Sequence, residues 1–150
     1  MLYRSEAEET RRTTAELDIA FIAYAPLGRG LLTAKVEDPA GLPETDTRRR
    51  HPRFAPGNLT HNMELVSRIE VVAKEKGCAV GQLALAWLLA QGADVIPIPG
   101  TKRKERLREN IEALSISLTD HDLAQIAAAI PAAAAAGERY PATQMKSVYL

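Results

Sequence analysis

The 150 residues contain one cysteine, one tryptophan, two phenylalanines and four tyrosines. A lone Cys78 excludes any disulfide framework or cysteine-rich metal site within one chain. It follows Gly77 at an expected helix end and reads as a buried or inert thiol. Charge excess is also missing, with 19 Lys+Arg against 19 Asp+Glu. Without a global field, neither nucleic acid nor an anionic membrane is an expected partner. A basic patch must therefore act locally. The apolar runs, "CAVGQLALAWLLAQG" among them, are too short to span a bilayer. The N-terminal "MLYRSEAEET" lacks the apolar centre of a signal peptide. The expectation is a soluble, cytoplasmic protein. What is there is ordinary: 46% hydrophobic and 25% charged residues, enough for one domain with a core.

Along the chain, residues 5–17 predict a helix, with Ser5 as a cap and glutamates in its first turns. "DIAFIAY" (18–24) is short, apolar and β-branched, as a buried parallel strand would be. "PLGRGLLTAK" (26–35) is a glycine-containing loop after it. Residues 36–59, with Pro39, Pro43, Pro52, Pro56 and "RRRHPR", form a long connection of the kind used as lids or binding loops. Thr60 and Gly77 bracket a helix over 61–76. The helix expected over 80–91 is apolar nearly all round, so it should be deeply packed. "DVIPI" (94–98) is a second strand and 101–114 a further helix. Thr119 and Asp122 form a capping box for a last helix, 120–130, with a surface tail over 132–141.

Strands alternating with helices point to a parallel α/β sheet. Two parallel strands do not make a stable core, however. The chain is expected either to be part of something larger or to pair with itself.

The chemistry concentrates in "VIPIPGTKRKERLREN" (95–110). Lys102, Arg103 and Lys104 crowd the expected start of a helix, where each cation costs about 0.3–1 kcal/mol against the helix dipole. Gly100 leaves an open approach, and Thr101 stands where an N-cap belongs. A helix start of this kind can hold an anion. Arg103, Arg106 and Asn110 share a stripe bordered by Glu109, while Leu107, Ile111 and Leu114 mark the expected buried face. Two readings stay open on pattern alone. One is a phosphate site whose Asn110 and Glu109 read a polar ring edge. The other is a solvated helix with an Arg106–Glu109 ion pair. The loop "YAPLGRG" should lie on the same rim, the C-terminal end of a parallel sheet. Gly28 and Gly30 permit close approach to a ligand. Tyr24 either lays its ring on a planar ligand or is a core tyrosine. Nucleic-acid binding through "RRRHPR" and "KRKERLR" is the weakest reading, given zero net charge and few aromatics.

"FIAYAPLGRGLLTAK", "QLALAWLLAQ" and "VIPIPGTKRKERLREN", in that order and spacing, resemble the C-terminal half of an aldo-keto reductase. The subgroup most similar is the bacterial and plant enzymes related to potassium-channel β-subunits. The resemblance implies part of a (β/α)₈ barrel, with "DIAFIAY" as strand seven and "DVIPI" as strand eight. It implies NADPH as cofactor and a small aldehyde or ketone as substrate. By the same resemblance Tyr24 stacks on the nicotinamide, and Pro26, Leu27, Arg29 and Gly30 lie along the pyrophosphate. Gly100, Thr101, Arg103 and Arg106 then face the 2′-phosphate, and Glu109 and Asn110 meet the adenine. The sequence departs from the family pattern at Ala25, commonly Ser, and at Ala79-Val80, commonly Thr-Pro. The family's catalytic Asp, Tyr, Lys and His belong to the first half of the barrel. Tyr3, Tyr24, Tyr140 and Tyr149 do not match the catalytic tyrosine's motif, and His51, His61 and His121 do not follow a strand. No catalytic residue is assigned, and the chain alone is expected to be inactive. A non-catalytic nucleotide-binding or subunit-interaction module is the alternative, with self-association or a missing N-terminal half as the expected partner.

Overall fold

The computed structural model describes residues 1–2, 4–33 and 41–148. Tyr3, Tyr149 and residues 34–40, which open the long connection, lie outside them.

Helix α1 (Arg4–Glu16) leads into strand β1 (Phe21–Ala23). A 3₁₀ turn over Gly28–Thr33 follows, then two more over Thr47–Arg50 and Pro52–Phe54. Next come α2 (Pro56–Glu75), α3 (Val80–Leu89), strand β2 (Val95–Pro97) and α4 (Lys104–Glu112). Helices α5 (Asp120–Ala129) and α6 (Ala142–Met145) complete the described order.

The two strands pair in parallel, Phe21 opposite Val95 and Ile22 opposite Ile96. Side chains alternate across a strand. Ala23 and Val95 are accordingly buried on the helical side. Ile22, Tyr24, Ile96 and Ile98 stand about half exposed on the other face. The core lies behind the sheet rather than in it. Leu31 from the first 3₁₀ turn, Ile69 from α2, Leu83 from α3 and Ile126 from α5 are each fully buried in one helical cluster.

Local signals explain the helix ends. Gly77, at φ 64, ends α2: its N–H donates to Lys74 O, and the Cys78 N–H donates to Ala73 O. That paired closure needs a left-handed residue, which glycine adopts without strain. The Thr119–Asp122 capping box forms as expected, and Lys76 Nζ adds an ion pair at 2.9 Å to the Asp122 carboxylate. The cap lost at Ala79 is half restored, because Gln82 Oε1 accepts from the Ala79 N–H at 2.9 Å. Cys78 is only half buried, and that burial raises the pKa of its thiol.

Four expectations fail. Helix α2 starts at Pro56, not after Thr60, because proline at the first helical position has no N–H to lose. Thr60 lies inside it and donates to Pro56 O. Ser5 likewise lies within α1, not ahead of it. Helix α4 starts at Lys104, so Lys102 and Arg103 precede it, and Thr101 caps no helix. Its apolar stripe is not buried either: Leu107, Ile111 and Leu114 are 53%, 55% and 70% exposed. The described residues supply no layer to cover that face. Instead α4 turns Arg106, Glu109, Asn110 and Ala113 toward the body.

Candidate functional site

Both strands end on one rim, and the loops that follow them build a cleft of about 500 Å³. The loop after β1 supplies Pro26, Leu27, Arg29 and Gly30, and the segment after β2 supplies Gly100, Thr101 and Arg103. Helix α4 adds Arg106, Glu109 and Asn110. Ten of the eleven residues expected at a ligand therefore line one cleft. The eleventh, Tyr24, borders a second cavity of about 470 Å³, lined also by Trp87 and Leu123, that shares Ala25, Pro26 and Arg29 with the first.

The cleft is built from unusual backbone. Ala25, Gly28, Arg29 and Gly30 all have positive φ, at 47, 58, 58 and 97°. For Ala25 and Arg29 a left-handed conformation costs on the order of 1–2 kcal/mol each. Such strain persists where surrounding structure enforces it, commonly at ligand sites. At Gly100 an added Cβ would meet nothing within 4 Å, so the approach to the backbone there is open. The Thr101 hydroxyl accepts from the Arg103 N–H at 3.1 Å, which fixes the turn ahead of α4.

Cations dominate one wall: Arg29, Lys102, Arg103 and Arg106. Arg106 is ion-paired with Glu109, as the alternative reading of this helix anticipated. Both residues nonetheless face the cleft. Gln82 ties α4 down, donating to Glu109 O at 3.1 Å and to the Glu112 carboxylate at 3.0 Å.

Sequence reasoning missed Arg48. It comes from "RRRHPR" and enters the cleft opposite Gly30, whose added Cβ would lie 3.7 Å from Arg48 Nη1. Asp46 holds it, accepting from Nε at 3.0 Å, from Nη2 at 2.7 Å and from the backbone N–H at 2.9 Å. That hold places the Asp46 carboxyl at about 2, well below the usual range, and raises the guanidinium. The only signal in the sequence was the spacing of Asp46 two residues before Arg48, which a local side-chain turn favours.

Tyr24 is 46% exposed at the rim, its hydroxyl 3.2 Å from that of Tyr140. Burial, then the Tyr140 contact, raises the Tyr24 phenol above its ordinary value. The bond to Tyr24, with Arg29 near, lowers that of Tyr140. Among the described residues no group of His, Cys, Asp and Glu could hold a metal ion, and no helix is long and apolar enough to cross a membrane.

The family model for the Aldo/keto reductase family matches residues 1–131. The chain belongs to that family. It is 48% identical over 126 residues to the NADP(+) aldo-keto reductase yakc of Schizosaccharomyces pombe, covering 84% of this chain and 37% of the relative. It is 42% identical over 139 residues to probable aldo-keto reductase 1 of Glycine max, covering 91% of this chain and 39% of the relative. Two solved structures are similar in fold. The glycerol dehydrogenase AKR11B4 from Gluconobacter oxydans aligns at TM-score 0.68 and 27% identity, over 79% of this chain and 37% of that one. The thermostable aldo-keto reductase Tm1743 aligns at TM-score 0.51 and 26% identity, over 79% and 32%. The chain thus spans less than two-fifths of the length of these aldo/keto reductases. Its described residues form part of an α/β barrel, with two strands of the sheet.

Proposed function

We propose that this chain forms the cofactor-holding part of an NADPH-dependent oxidoreductase acting on aldehydes and ketones. In this reading β1 and β2 are strands seven and eight of the barrel. The observation that carries it is the single cleft joining Pro26, Leu27, Arg29 and Gly30 to Thr101, Arg103 and Arg106. NADP(+) stands in the name of the Schizosaccharomyces pombe relative.

The residues present fit a phosphorylated dinucleotide. Four arginines and a lysine line the cleft; Asp46 pairs with Arg48 and Glu109 with Arg106, and the lining carries more cations than carboxylates. Arginine suits this role because its planar fork matches a phosphate and forms charge-assisted hydrogen bonds. Thr101, Arg103 and Arg106 would hold the 2′-phosphate. Glu109 and Asn110 would meet the adenine, and Pro26, Leu27, Arg29 and Gly30 the pyrophosphate. Tyr24, at the end of β1, would lay its ring on the nicotinamide. The bound cofactor would supply a hydride for the carbonyl carbon. No side chain of this chain is assigned the accompanying proton. The Arg106–Glu109 pair would have to open or share its guanidinium with the 2′-phosphate, which would temper the affinity gained.

Carbonyl turnover then depends on the remaining barrel, and a non-catalytic nucleotide-binding or subunit-interaction module is the alternative. The test joins residues 1–150 to the preceding part of a relative and titrates both cofactors by fluorescence. Arg106→Ala should weaken NADPH by roughly 1.5–3 kcal/mol, the range for a hydrogen bond to a charged group. NADH should hardly change. Equal losses for the two cofactors would overturn the assignment.

A further inference from the structure

The segment after α5 plays no part in the reading above, yet it is firmly docked. His61 Nε2 lies 2.8 Å from Ala134 O. The amide of Asn62, fully buried, donates to Ala136 O at 2.9 Å and accepts from the Ala136 N–H at 2.8 Å. Arg53 Nε donates to Gly137 O at 3.3 Å, and His51 Nδ1 lies 3.3 Å from Arg139 O. Gly137 has φ 83, and a Cβ there would stand 2.7 Å from the Pro52 carbonyl carbon. The backbone comes closer than any side chain would allow. A surface tail does not need so exact a fit.

This docking delivers Arg139 and Tyr140 to Tyr24. The two hydroxyls are 3.2 Å apart, across 116 residues of sequence. The Arg139 guanidinium lies 5.8 Å from the Tyr24 ring centroid and 5.6 Å from that of Tyr140. Arg29 lies 5.0 Å from the Tyr140 centroid, and the His51 ring packs 5.9 Å away. These distances suit cation–π contact. A half-exposed tyrosine at a strand end would otherwise change rotamer freely, on a picosecond to nanosecond timescale. A ring that stacks on a planar ligand binds it better when already held in place, because the ordering cost no longer falls on binding.

We propose that residues 134–140 are a built-in clamp on Tyr24, with Tyr140 and Arg139 as positioning residues for the nicotinamide end of the dinucleotide. This rests on the cofactor reading of the cleft. Arg29 belongs to both sets of residues, so the clamp also touches the loop assigned to the pyrophosphate.

The test compares NADPH with adenosine 2′,5′-bisphosphate, which carries the 2′-phosphate and adenine but no nicotinamide. Both are titrated into the 150-residue chain and into Tyr140→Phe, which loses one hydroxyl. The clamp predicts NADPH binding about three- to tenfold weaker in Tyr140→Phe, corresponding to the ordering of one side chain. Bisphosphate affinity and melting temperature should stay unchanged. Gly137→Ala, which lifts the same segment by another route, should give the same split between the two ligands. Equal weakening of both ligands would mean a merely structural role and overturn the clamp. Unchanged or tighter NADPH binding would overturn it as well, the latter marking the segment as a plug. If the unsubstituted chain binds no bisphosphate, the cleft reading fails and the clamp falls with it. Bisphosphate binding with NADPH unmoved by Tyr140→Phe sinks the clamp alone.

Discussion

Replacing Gly137 with alanine should destabilise the chain far more than the loss of a surface glycine would suggest. Two costs arise at this position. At φ 83 the residue is left-handed, which costs a non-glycine residue about 1–2 kcal/mol. The new Cβ would also sit 2.7–2.8 Å from the Pro52 carbonyl and the Asn58 amide, both closer than real contacts allow. The Pro52 backbone cannot yield, so the segment must lift. Lifting removes the Ala136 partners of the fully buried Asn62 amide. Leaving such a group unsatisfied costs about 1–3 kcal/mol. Solvent reaching the opened site offsets part of that, so the expected loss is roughly 2–4 kcal/mol in total. At about 2–4 °C per kcal/mol for a chain of this size, the melting temperature should fall by roughly 5–15 °C. The assay is thermal denaturation followed by circular dichroism. Gly57→Ala is the matched control. Gly57 lies in the first turn of α2, and a Cβ there meets nothing within 4 Å. Alanine at that position should leave stability unchanged or raise it by up to about 1 kcal/mol. If Gly137→Ala melts where Gly57→Ala does, the docking described here does not constrain the folded state.

Three further outcomes follow from the packing and the charges. Ile69→Ala, at a fully buried position in α2, should cost about 2–5 kcal/mol in denaturant unfolding, the range for a core cavity. Lys76 and the Thr119 hydrogen bonds hold the Asp122 carboxyl at about 2, below its ordinary 3.8. A lowered folded pKa gives stability that is complete above the ordinary value and lost as pH falls from about 4 toward 2. Asp122→Asn should therefore flatten acid unfolding in that window, and an unchanged acid limb would count against the Lys76 pair. The exposed stripe of Leu107, Ile111 and Leu114, with the bare sheet face of Ile22 and Ile96, should drive concentration-dependent association of the chain by itself. Replacing the three α4 residues with serine should reduce it in sedimentation velocity; equal association would point elsewhere.

Much of the fold was legible because its signals are local. The Thr119–Asp122 box, the Gly77 stop and the short β-branched strands each carry their own cause within a few residues. Signals that compete locally misled. Thr60 reads as a helix cap on side-chain grounds, yet the helix starts at Pro56, where proline suits the first helical position. The stripe on α4 was legible as apolar, but its burial depends on a layer the described residues do not supply. The ten cleft residues could be named because two rim loops and one helix face converge once the strands pair in parallel. Arg48 could not, since the path of a long connection is set by tertiary contacts. The Tyr24–Tyr140 contact was hidden for the same reason: it spans most of the chain.

In the proposed function, the cleft between the two rim loops holds a dinucleotide by its 2′-phosphate. Amide chemical-shift mapping of the isotopically labelled chain, titrated with NADP(+) and separately with NAD(+), tests it most directly. NADP(+) should move the amides of Gly30, Gly100, Thr101, Arg103 and Asn110 together. NAD(+) should move those of Thr101 and Arg103 much less at equal concentration. Shifts centred on Trp87 and Leu123, which line the second cavity, would contradict the account. So would identical maps for the two dinucleotides.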